Sequence, residues 1–183
     1  MKITIESSEL SIDILREIVA LTSDSESLSI FAKDDYWQIR VAAAGNPNTP
    51  SKSLSDLAKD DIGNVKKAVA GNPNTPSKSL SDLAKDNNWQ IRFAAAGNPN
   101  TPVESLSELA KDNNWHMRFV VAGNPNTPSK SLSDLAKDDY WMIREAVAGN
   151  PNTPVESLSD LGKKDIDFDV RRAAKENPNM PKE

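Results

Sequence analysis

The stretch GNPNTPSKSLSDLAKD at residues 45–60 recurs letter for letter at 71–86 and 123–138, and near-copies begin at Gly97 and Gly149. Its glycines stand at 45, 71, 97, 123 and 149, a constant period of 26 residues. A fixed period of this length marks an array of like units rather than one irregular core. A worn copy, ENPNMP, starts at Glu176, one residue late because Lys163-Lys164 carries an insertion. Upstream, SDSESLSIFAKDDYWQIRVAAA from Ser23 forms a degenerate first unit, with Leu28, Phe31 and Ala32 where Leu54, Leu57 and Ala58 stand later. The expected organisation is an N-terminal cap at 1–22, six tandem units over 23–176 and a C-terminal tail at 177–183.

Each unit reads as two short helices. Thr49-Pro50 offers a capping hydroxyl followed by proline at the first helical position. TPVE at Thr101 and Thr153, and SDSE at Ser23, have the form of a capping box. Leu54, Leu57 and Ala58 then repeat at i, i+3 and i+4, one apolar stripe. The second helix is expected from about Asp35, with Ile39, Ala42 and Ala43 on its apolar side. It is expected to stop at Gly45 in a left-handed C-terminal conformation, with Pro47 beyond. GNPNTP is then a helix stop, a turn and the next helix start in six residues. A phosphate cradle fits it poorly, because its prolines remove amides and no P-loop lysine follows. Residues 8–21 read as an amphipathic capping helix and MKITIE as an extended arm. Gly63-Asn64 loses ring and helix propensity together and is expected to be a soft joint.

Composition limits the chemistry. A net charge of −5 argues against a general duplex-DNA binder, since nonspecific affinity comes from Lys and Arg on phosphates. The absence of cysteine removes disulfides, thiol catalysis and cysteine metal sites. No catalytic residues, metal ligands or cofactor site stand out from the periodic background, so a non-enzymatic chain is expected. Asp13, Arg16 and Glu17 interrupt the one candidate signal segment, no run is long and apolar enough for a membrane span, and a cytoplasmic protein is the expectation.

The pattern PxxSLSDLAKDxxWxIRxAxAGNPNTP, from Ser23 to about Pro181, resembles the leucine-rich-repeat variant family, also described as short HEAT-like repeats. The resemblance implies an all-α, right-handed superhelical solenoid, here of six helix-pair repeats of 26 residues with an N-terminal capping helix, and the family admits a 3₁₀ helix as one member of each pair. It implies no single function. One more periodic pair fits it: Asp34 and Arg40, Asp60 and Lys66, Asp86 and Arg92, Asp112 and Arg118, Asp138 and Arg144, Asp165 and Arg171. In HEAT-like arrays such residues form a ladder between neighbouring repeats.

The copies differ mainly on the second helix. Tryptophan recurs as Trp37, Trp89, Trp115 and Trp141; the next position runs Gln38, Asn64, Gln90, His116, Met142, Asp169; a third runs Val41, Lys67, Phe93, Phe119, Glu145, Arg172. A further series is Tyr36, Ile62, Asn88, Asn114, Tyr140, Asp167. Positions 37 and 41 fall opposite the apolar stripe, and stacking lines them into a strip. Its centre is Trp89, Phe93, Trp115 and Phe119, flanked by Gln90 and His116. The tryptophans suit either an exposed hot spot or packing on the neighbouring proline turn. Phe93 and Phe119 are expected at the surface, because equivalent positions carry Lys67, Glu145 and Arg172. The expected function is a protein- or peptide-binding scaffold whose partner-binding residues are Trp37, Trp89, Gln90, Phe93, Trp115, His116, Phe119, Trp141, Met142 and Glu145. Self-association through the same strip, nucleic-acid binding of a HEAT-like kind and a consensus-like array without ligand are the alternatives.

Overall fold

The computed structural model describes residues 11–181. The expected arm at MKITIE, residues 8–10 of the expected capping helix and the last two residues of the tail lie outside the described residues. Among the described residues there are thirteen helices and no strand. α1 (Ile12–Leu21) is followed by six pairs. The first helices are α2 (Ser25–Phe31), α4 (Ser51–Leu57), α6 (Ser77–Leu83), α8 (Val103–Leu109), α10 (Ser129–Leu135) and α12 (Val155–Lys164). The second helices are α3 (Trp37–Gly45), α5 (Gly63–Gly71), α7 (Trp89–Gly97), α9 (Trp115–Gly123), α11 (Trp141–Gly149) and α13 (Phe168–Glu176). The protein is an all-α helical repeat solenoid with both members of each pair α-helical. It divides into two compact units, one ending at Ser79 and the other beginning at Leu80, within α6.

Helices of seven to nine residues are marginal alone, and stacking supplies what propensity does not. Each helix of a pair buries at least one large side chain: Leu28 with Ile39, Leu54 with Val65, Leu106 with Met117, Leu132 with Ile143. Burial of such a side chain is worth about 1.5–3 kcal/mol. In the first unit α1 packs on α3 and α3 on α5; in the second, α7, α9, α11 and α13 pack in sequence. Within each compact unit the second helices are thus laid side by side, which sets equivalent side chains of that unit in a row. The insertion at Lys163-Lys164 lengthens α12 to ten residues rather than opening a loop. α5 keeps the nine residues of its counterparts although it starts at Gly63.

The six-residue joint differs from its expected form. Thr49 does not cap the helix that follows: its hydroxyl donates to the Ala43 carbonyl at 2.5 Å, in the last turn of the helix before it. Thr75, Thr101, Thr127 and Thr153 repeat that bond. The residue at the N-cap of α4, α8, α10 and α12 is the proline, which offers no side-chain bond. The capping boxes are therefore absent, and at α2 the cap is Asp24 rather than Ser23. The second helix begins at Trp37, not near Asp35, and its buried side is Ile39, Ala43 and Ala44, with Ala42 only part-buried.

The glycines also depart from expectation. None has a positive φ; Gly45, Gly71, Gly97, Gly123 and Gly149 each end a helix in ordinary geometry, and the chain leaves through an extended asparagine. A Cβ added at Gly45, Gly71, Gly123 or Gly149 meets nothing within 4 Å. Alanine at these positions is accordingly expected to stabilise the protein by about 0.4–1 kcal/mol each, by reducing unfolded-chain entropy. Thermal melts of Gly123→Ala and Gly149→Ala check this; a lowered midpoint would show that the backbone there does need glycine.

What the extended asparagine does was not foreseen. Asn124 is buried, and its Nδ2 donates to the Ala96 carbonyl at 2.7 Å and the Asn98 carbonyl at 2.9 Å, both one repeat back. Its Oδ1 accepts from the Asn126 N–H. Asn72, Asn150 and Asn177 reach back in the same way, to Ala44 and Asn46, to Ala122 and Asn124, and to Ala148 and Asn150. Asn46 grips the end of α1 through the carbonyls of Val19, Ala20 and Thr22. These amides satisfy carbonyls left over at helix C-termini, so the joint fastens repeat to repeat.

Candidate partner-binding strip

A second ladder borders the strip. The Arg118 Nε and Nη2 donate to both carboxylate oxygens of Asp138, one repeat on, at 2.6 and 3.2 Å. Its Nη1 reaches back to the backbone carbonyls of Asp112 and Asn113. Arg40 does the same toward Asp60 and Arg144 toward Asp165. The six-residue spacing within a repeat therefore reflects a backbone contact, and the carboxylate contact runs to the next repeat. Each aspartate also receives the N–H two residues on, such as Tyr140 on Asp138, which opens the second helix. Burial pushes the Asp138 carboxyl up, but the Arg118 hydrogen bonds and the Tyr140 N–H outweigh it and hold the group below its ordinary value of 3.8. Asp60 follows the same balance with Arg40, and for Asp165 the Arg144 bond is itself the largest influence.

This arrangement fixes the second helices at their starts, with tryptophan as the first residue of α3, α7, α9 and α11. Trp89, Phe93 and Gly97 follow at four-residue intervals along α7, as do Trp115, Phe119 and Gly123 on α9, and Trp141, Glu145 and Gly149 on α11. Of the tryptophans, Trp89 is the most open at 51 % exposed, with Trp141 at 41 %, Trp37 at 38 % and Trp115 more covered. Phe119 is 43 % exposed, while Phe93 is half-buried against Trp89, edge to face at 6.2 Å. Gln90 and His116 are exposed; Met142 and Glu145 are half-buried. In the first unit, Gln38 keeps its Oε1 buried without a hydrogen-bond partner.

Two ring clusters result. Trp89 and Phe93 form one, within α7. Trp115 carries the other: His116 stacks on it at 3.7 Å and Tyr140, from the following repeat, at 5.5 Å and 15°. Arg118 sits over the Tyr140 ring at 6.0 Å. Among the described residues no ring contact links the two clusters. Sequence reasoning passed over Tyr140. Its signal was the variation in the series headed by Tyr36, whose Tyr140 member supplies a ring to the tryptophan of the repeat before.

No protein-family model and no curated protein matches the sequence. Solved structures do match. A leucine-rich repeat variant with a novel repetitive structural motif aligns with a TM-score of 0.61 at 26 % identity, over 92 % of this chain and 67 % of that chain. The Escherichia coli protein YibA aligns at 0.58 and 18 % identity, over 91 % of this chain and 77 % of that one. An engineered protein aligns at 0.57 and 15 % identity, over 94 % of this chain and 64 % of that one, just under two thirds of its length. The chain has the fold of helical repeat proteins, and its repeat is similar to that of the leucine-rich repeat variant.

Proposed function

We propose that this protein is a non-enzymatic scaffold that holds a protein or peptide along the strip of second-helix residues, with Trp37, Trp89, Gln90, Phe93, Trp115, His116, Phe119, Trp141, Met142 and Glu145 as its contacts. The observation that carries this reading is the exposure of Trp89 and Trp141 at equivalent positions, with Phe119 exposed one turn further along its own helix. Large rings on helices contribute contact area at little entropic cost, and their desolvation supplies affinity. The positions of Gln38 and Val41, which vary most among the copies, set specificity. In this reading residues 23–176 carry the binding face, 1–22 cap it and 177–183 close it. Among the described residues no helix is long and apolar enough to cross a membrane, and a cysteine-free chain suits the cytoplasmic setting we propose.

Replacing Phe93 and Phe119 together by alanine is expected to abolish capture of the partner in a pull-down from the native host. The melting temperature should fall only slightly, because Phe119 is largely exposed and Phe93 half-exposed. Undiminished capture by the folded double variant would remove the strip from the function. Light scattering across a dilution series separates a foreign partner from a second copy of this chain.

A further inference from the structure

Resting on the scaffold reading above, we propose that Trp89 floors a slot for an aromatic side chain carried by an acidic peptide segment. The repeat itself shows what fills such a slot. One unit further on, Trp115 is stacked by Tyr140 at 5.5 Å with the rings 15° from parallel. The residue in the corresponding place over Trp89 is Asn114. Its side chain is turned to its own helix, where Oδ1 accepts from the His116 N–H at 3.0 Å and lies 3.0 Å from His116 Nδ1. Trp89 therefore lacks the ring that covers its counterpart, and a ring supplied by a partner takes the place of Tyr140.

Charge selects the partner. Arg118, beside the Tyr140 ring, is neutralised by both oxygens of Asp138. Arg92, its counterpart beside the slot, reaches Asp112 only at 3.9 Å, and the two side chains are 25 % and 22 % exposed against 18 % and 8 % for Arg118 and Asp138. Moreover Asn87 and Asn113 stand where Asp35, Asp61 and Asp139 stand in other repeats. The slot thus combines a guanidinium that is held by the Asp86 and Asn87 carbonyls but only weakly neutralised by Asp112 with the loss of two carboxylates, which complements an acidic neighbour of the bound ring. A nucleic acid fits less well: stacking along a strand is accompanied by several cations tracking phosphates, and here Gln90, Asn87 and Asn113 are neutral.

The test follows the indole N–H resonances of the full chain by NMR, with Trp89→Phe assigning its own signal, during titration with N-acetyl-Glu-Phe-Glu-amide. The Trp89 resonance is expected to move saturably. Peptides with leucine in place of phenylalanine, or lysine in place of glutamate, should bind about fivefold more weakly. Asn114→Tyr, which supplies the missing ring from within, should abolish the response at Trp89. Asn113→Asp, at an exposed site, should weaken the glutamate peptide and strengthen the lysine one. Equal binding of all three peptides, a response surviving in Asn114→Tyr, or stronger binding of oligothymidylate would overturn the assignment. Movement of the Trp37, Trp115 or Trp141 signal without that of Trp89 overturns the slot while leaving the strip intact. If no indole moves, the slot is overturned and the double phenylalanine variant decides the strip separately.

Discussion

Replacing Asn124 by alanine is expected to cost the protein about 3 kcal/mol, out of proportion to the loss of one neutral side chain. The amide is buried, and both its donated bonds end on carbonyls that are themselves buried, those of Ala96 and Asn98. Removing the side chain leaves the Ala96 carbonyl dehydrated and unpaired, at about 1–3 kcal/mol, takes the acceptor from the Asn126 N–H, and leaves the Asn98 carbonyl with the Thr101 N–H alone. Asn126, two residues on, is exposed and bonds the Pro99 carbonyl at the surface, so Asn126→Ala should cost less than about 1 kcal/mol. Urea unfolding of the two variants measures the contrast. Equal costs would mean that the buried amide is no more than a turn residue.

A loss of about 2–3 kcal/mol is expected for Asp138→Ala, which leaves the largely buried Arg118 guanidinium without its carboxylate. Acid should reach the same end by titration. Asp60, Asp138 and Asp165 all have folded-state pKa values below 3.8, so each binds a proton less readily folded than unfolded. Their contribution is complete above the unfolded value and is lost as pH falls through the folded one. Stability should therefore hold from neutrality to about pH 5 and decline from about pH 4 downward. Urea midpoints against pH check the sign, and Asp138→Ala should show a shallower decline than the parent. A midpoint that rises on acidification would contradict the ladder.

The period of 26 residues made the helix pairs legible because matching letters impose matching environments, and Leu54, Leu57 and Ile39 are buried as their spacing requires. The joint was misread in detail for a physical reason. Threonine before proline suits a helix start, and glycine after an apolar stripe suits a helix stop, but both rules describe one helix in isolation. In an array the spare carbonyls of one repeat are the nearest acceptors for the next, and Thr49 and Asn46 turn to them instead. The arginine–aspartate spacing was visible, yet sequence distance could not show that the carboxylate contact is made at twenty residues rather than six. At the strip, Phe119 lies exposed as its charged equivalents imply, whereas Phe93 turns against Trp89. That difference depends on which neighbour is within reach, and no single helical wheel contains it.

The asparagine rungs give the chain a polarity. Asn72, Asn124, Asn150 and Asn177 each take the same pair of oxygens from the copy before, so these junctions are interchangeable in register and direction. A further 26-residue cassette spliced between Gly123 and Gly149 would find its demands met on both sides, and the molecule could be lengthened by evolution or in the laboratory without redesigning its seams.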